Sequence, residues 1–174
     1  MVFVTRLRRA DTANPGGFLV FNWSAALKVI AISAIPFLEL RFGIPVGIVS
    51  GLDPAVAVAL GVLGNVLQVP LIIFIMYMLR RIAQQVPWAA RILARIDRAA
   101  ERHEAKVRRY GWLGLALLIG IPIPGTGLWT GAAVANLMRM PLMLTALSMA
   151  AGVAIAGVLV GAVTTGAIAV IDLF

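Results

Sequence analysis

The chain has no cysteine and a single histidine, His103. Without cysteine there are no disulfides, no thiolate-bound zinc and no thiol nucleophile. One imidazole makes neither a metal cluster nor a catalytic triad, and His103 sits among charges as a solvated or interfacial side chain. The phosphate-cradling GxxxxGKS/T, the zinc-binding HExxH and the paired carboxylates of phosphatidyl transferases are missing as well, so the chain reads as neither an ATPase nor an enzyme, and calls for no cofactor or metal. Charge is also scarce. Only 13% of the 174 residues are charged, against about 25% in soluble domains.

Apolar residues fill the space: 61% of the chain is hydrophobic and the mean hydropathy is +0.99. A soluble domain of this size leaves much of its surface in water, and too few polar residues are present to cover it. Lipid is therefore the expected solvent. The net charge of +8 would suggest nucleic acid in a polar chain. Here nine of the fifteen basic residues lie between Arg80 and Arg109, and Arg6, Arg8 and Arg9 precede the first apolar run. Such clustering marks the cytoplasmic flanks of membrane spans, so anionic lipid headgroups at 80–109 are the expected partner and nucleic acid is not.

The chain, 1–174, reads as one all-α integral membrane domain in the cell's inner membrane, crossing it several times. It begins with a basic tail, 1–20. A signal peptide is rejected because the apolar segment from Phe21 is interrupted by Lys28, lacks a small-residue cleavage site and runs into Glu39 and Arg41. A first repeat spans 21–79, a basic linker 80–109, and a second repeat 110–174. Ala55 to Leu79 is charge-free over 25 residues and is the clearest transmembrane helix. Met140 to Ile171 is also charge-free, with Gly152, Gly157, Gly161 and Gly166 at close-packing intervals. Those glycines also suggest a homo-oligomer. Two further apolar stretches are interrupted, Trp23 to Leu52 around Pro36 to Pro45, and Tyr110 to Met138 at Pro122-Ile123-Pro124-Gly125. Proline removes a backbone donor and disfavours helix just before it, so each stretch is expected to form two half-helices, a re-entrant hairpin. The linker is expected to be an amphipathic helix on the membrane surface, its apolar side formed by Trp88, Ile92, Ile96, Ala99, His103 and Val107.

Offset by about 86 residues, the halves repeat one order of events: half-helix, proline break, half-helix, polar turn with proline, long apolar helix. A hairpin plus one span crosses an odd number of times, which makes the repeats inverted. With the linker inside, Arg139 is inside and Asp53 outside, as the positive-inside rule prefers. If the broken segments cross fully, both termini are cytoplasmic instead. Inverted repeats are the favoured reading.

Glu39 and Arg41 are the one pair of opposite charges inside an apolar segment. Ionisable groups at that depth are costly and usually functional or paired. They are candidate substrate and ion contacts, Arg41 for an anion or phosphate and Glu39 as a proton carrier. The plainer alternative is an ion pair that holds the break together, or a loop that reaches the interface. The second break offers Pro122, Pro124, Gly125, Thr126, Gly127, Trp129 and Thr130, a glycine-rich turn leading into a helix whose first N–H groups can hold an anion. Pro45 joins the candidate set from the first break.

The strings Glu-Leu-Arg-Phe-Gly-Ile-Pro at 39–45 and Pro-Ile-Pro-Gly-Thr-Gly-Leu-Trp-Thr-Gly at 122–131 resemble the prokaryotic small multi-drug export family. The resemblance covers nearly all of the chain beyond the tail and implies export of small molecules. In plan the chain is also similar to the DedA and VTT-domain membrane proteins, which implies inverted re-entrant hairpins and, by analogy, movement of lipid phosphates. The expected function is thus a transporter or translocase for a small amphipathic molecule or lipid phosphate, coupled to protons through Glu39. The rival is a membrane scaffold that recruits partners or anionic lipid through its basic linker.

Overall fold

The structure, a computed structural model, describes residues 22–122 and 126–171, without the side chain of Lys106. The basic tail, with Arg6, Arg8 and Arg9, lies outside the described residues, as do Pro124 and Gly125. Six helices and no strand occur among the described residues: α1 (Trp23–Ser33), α2 (Glu39–Val49), α3 (Pro54–Ala83), α4 (Pro87–Gly120), α5 (Leu128–Leu137) and α6 (Leu142–Ile171).

Two helix starts follow directly from side chains. The Asn22 amide oxygen accepts the Ala25 N–H at 3.0 Å and caps α1. Asp53 accepts from Ala55 at 2.9 Å and Val56 at 3.3 Å, with Pro54 in the first position of α3, where its missing N–H is not needed.

At 30 residues each, α3 and α6 are long and apolar enough to cross a membrane. Their outward faces are apolar, unlike those of a soluble helix. On α3, Leu63, Leu67, Leu71 and Phe74 are exposed, whereas Gly61, Gly64, Asn65 and Gln68 are buried. On α6, Leu147, Val158 and Val163 face outward while Thr145, Ser148, Gly152 and Gly157 face inward. The inward faces also bury Ile72, Met76, Met149 and Val153, so small, polar and apolar residues mix inside beneath an apolar outer face of the kind lipid selects.

The start of α3 and the end of α6 share one groove, lined by Pro54, Val58, Val158 and Thr165. The end of α3 and the start of α6 share another, lined by Met76, Arg80, Leu142 and Thr145. The two helices therefore run antiparallel. Contact is close: a Cβ on Gly157 would lie 2.5 Å from Val62, and one on Gly161 would overlap Val58. The glycine spacing of the last helix serves packing within the chain at these positions, while Gly166 faces open space.

The first break is narrower than its prolines suggest. Only 34–38 is non-helical, and Pro45 lies half-buried inside α2. Its ring removes the N–H that would meet the Arg41 carbonyl, an interruption that helices at membrane depth tolerate when neighbours cover it. Glu39 and Arg41 thus belong to the first turn of a helix and not to an irregular loop. In the second half, α4 ends at Gly120, Pro122 is non-helical and α5 begins at Leu128.

Between the halves, α3 continues through Arg80 and Arg81 to Ala83, and α4 starts at Pro87. Gly111, at φ 58° and ψ −135°, kinks α4 and separates its basic part from the apolar part that joins the second half. The buried side of the basic part is Ala89, Ala100 and Val107, flanked by half-buried Leu93, Ile96 and His103. That stripe is rotated from the expected one at its start: Trp88, Ile92 and Ala99 are exposed, because the small alanines allow α4 to lie close on the bundle.

Candidate functional site

The first N–H groups of a helix have no partner in their own helix. For α2 and α5 these partners come from elsewhere in the fold. The Leu40 N–H donates to Asn65 Oδ1 at 3.0 Å, from the middle of α3. The Leu128 N–H donates to Glu39 Oε1 at 3.2 Å, from the first residue of α2. The starts of the two short helices, one from each half, therefore meet at a buried carboxylate 7% exposed. The first N–H of α5 thus meets a carboxyl oxygen of the protein's own Glu39.

Gly127 makes this approach feasible. Its φ of 151° disfavours a side chain, and a Cβ there would lie 2.9 Å from both carboxylate oxygens of Glu39. Strain is also present on the other side, where Phe37 and Glu39 adopt φ 71° and 55°. Non-glycine residues in that region each cost about 1–3 kcal/mol, and such outliers gather at functional sites.

Two further contacts join the halves. Arg41 Nη2 donates to Thr126 Oγ1 at 3.3 Å, and that hydroxyl donates to the Ile121 carbonyl at 3.1 Å. The Phe37 ring stacks on Trp129, with centroids 5.9 Å apart and planes 15° from parallel. The Trp129 Nε1 is buried and meets no acceptor among the described residues. Of the candidate set, Glu39, Arg41, Thr126, Gly127 and Trp129 come together here. Thr130 follows half-buried on α5, Pro45 lies further along α2 and Pro122 is exposed at the end of α4. Pro124 and Gly125 lie outside the described residues.

Sequence reasoning passed over Ser33, Phe37, Asn65 and Gln68. Asn65 and Gln68 are buried on α3, and Gln68 Nε2 donates to the Ser33 carbonyl while lying 3.5 Å from Asn65 Oδ1. These amides link α1, α2 and α3 beneath Glu39. The available signal was two amides three residues apart in an otherwise apolar span, where polar groups need partners.

Over residues 39–159 the chain matches the family described as "putative small multi-drug export protein", a family of export proteins and not of enzymes. The match begins at Glu39 and takes in every junction residue except Ser33 and Phe37. No curated protein and no solved structure matches the chain.

Proposed function

The chain belongs to this small multi-drug export family, and we propose that it is a multi-pass inner-membrane transporter that moves a small amphipathic molecule or lipid phosphate, with the Glu39 junction as its moving latch. The observation that carries this reading is the 3.2 Å hydrogen bond from Leu128 in one half to a buried carboxylate in the other. A charge-assisted hydrogen bond is roughly twice as strong as a neutral one. When Glu39 takes up a proton, its hold on the α5 start weakens and the halves part more readily. Proton uptake and movement are thereby linked, and Arg41 stands beside the opening as the contact for an anionic group.

The halves are inverted repeats, each a re-entrant hairpin followed by a long span. The antiparallel course of α3 and α6 supports this, as does the matched order of short helix, break, short helix and long helix. The exposed side of α4, with Arg91, Arg95, Arg98 and Arg102, rests on the anionic leaflet at about 1 kcal/mol per basic residue.

In proteoliposomes, a proton gradient should drive movement of an anionic lipid phosphate or a cationic drug by the unmodified chain, and Glu39→Gln and Arg41→Ala should each remove most of it. Undiminished transport in both variants would sink the latch. The same exposed basic face supports a second reading, a scaffold that recruits anionic lipid or partners. That reading requires neutralisation of Arg91, Arg95 and Arg102 to abolish function while Glu39→Gln is silent.

A further inference from the structure

At the opposite end of α5 from Glu39, a cavity of about 700 Å³ opens between α3, α4, α5 and the start of α6, within the roughly 300–1,000 Å³ of small-molecule sites. One wall is apolar, formed by Ile73, Met76, Leu93, Ala132 and Ala135. The other carries Arg80, Asp97, Asn136 and Arg139. Arg80 Nε donates to Asn136 Oδ1 at 3.0 Å, and Arg80 Nη2 lies 3.5 Å from Asp97 Oδ1.

Guanidinium groups only donate, so Arg80 fixes which end of the Asn136 amide faces it. The Nδ2 group is left on the other side, buried and without an acceptor among the described residues. A buried donor in that state needs an explanation, and a ligand oxygen supplies one. Arg139 lines the same cavity at φ 52° and is the left-handed residue that closes the end of α5, with the Met140 N–H on the Ala135 carbonyl at 2.9 Å. Two guanidinium groups face one carboxylate, so the field inside is positive.

We propose that this cavity binds an amphiphile with a single anionic head, a phosphate monoester or carboxylate, and an apolar tail. The head accepts from Asn136 Nδ2 and the arginines, and the tail lies along Ile73, Met76 and Leu93. A cationic drug meets the wrong field there. Asn136 and Leu128 sit towards opposite ends of α5, about 12 Å apart at ~1.5 Å per residue, so the cavity is a loading site on the basic side of the junction.

The test is equilibrium binding of radiolabelled dodecyl phosphate to the full chain in a neutral detergent. Saturable binding is expected, weakened about tenfold by Asn136→Ala and by Arg139→Gln, the scale of a lost hydrogen bond to a charged group. Asp97→Asn should tighten binding about threefold, as removal of one partly solvated opposing charge does, a gain that misfolding cannot produce. Unchanged binding in Asn136→Ala and Arg139→Gln would overturn the site. Displacement by inorganic phosphate at the same concentration would overturn the role of the apolar wall, and equal displacement by tetraphenylphosphonium would overturn the charge assignment. Displacement by dioleoyl phosphatidate assigns the ligand to the bilayer, and retention against it assigns a soluble amphiphile; each keeps the site. A chain that binds dodecyl phosphate but transports nothing refutes the latch and leaves this site standing.

Discussion

At the first break the chain supplies a carboxylate and a guanidinium, Glu39 and Arg41; at the matching place in the second half it supplies the backbone N–H of Leu128 and the hydroxyl of Thr126, and no charge. The two are complementary and not equivalent. Carboxylates at both breaks would repel each other, and a first break without one would leave the α5 start unmet, since the α2 start is met by Asn65. A carboxylate on one side and backbone N–H and hydroxyl on the other make an interface that holds the two breaks together.

The largest effect should come from disturbing the side that has no charge. Gly127→Ala places a Cβ 2.9 Å from the Glu39 oxygens at a φ that disfavours it, and should destabilise the chain by about 3 kcal/mol, read as a lower thermal midpoint in detergent. Asn65→Ala removes the acceptor for the Leu40 N–H in a buried setting and should cost about 2 kcal/mol by the same measurement. Glu39→Gln retains an acceptor for Leu128 and should cost only about 1 kcal/mol, while proton-driven transport falls far more than stability does. The smallest change is expected from Thr126→Ala, which removes one half-buried contact of Arg41 worth about 0.5 kcal/mol. A loss at Thr126 equal to that at Gly127 would show that hydroxyl and backbone contribute alike, contrary to the comparison.

Much of this arrangement was readable from residue order. The charge-free runs that became α3 and α6, the break after Gly120 and the basic amphipathic helix follow from local rules of hydropathy, proline and charge. The α5 start needs a partner, because first-turn N–H groups have none in their own helix. Its source was not readable. Glu39 and Leu128 are 89 positions apart, and only the fold brings them together. Pro45 misled in the other direction: proline predicts interruption, but packing of α2 on α1 and α3 carries the helix through it. Asn65, Gln68 and the Asn136 cavity escaped because each matters through what it faces, which no periodicity encodes.

The central claim is that the junction opens during transport, and the absence of native cysteine makes it directly testable. In a Phe37→Cys, Trp129→Cys chain reconstituted in proteoliposomes, a short bifunctional methanethiosulfonate should link the two helix starts across the stacked pair. Transport should stop on linkage and return when the link is reduced. Transport that continues unchanged through the linked junction would contradict the account.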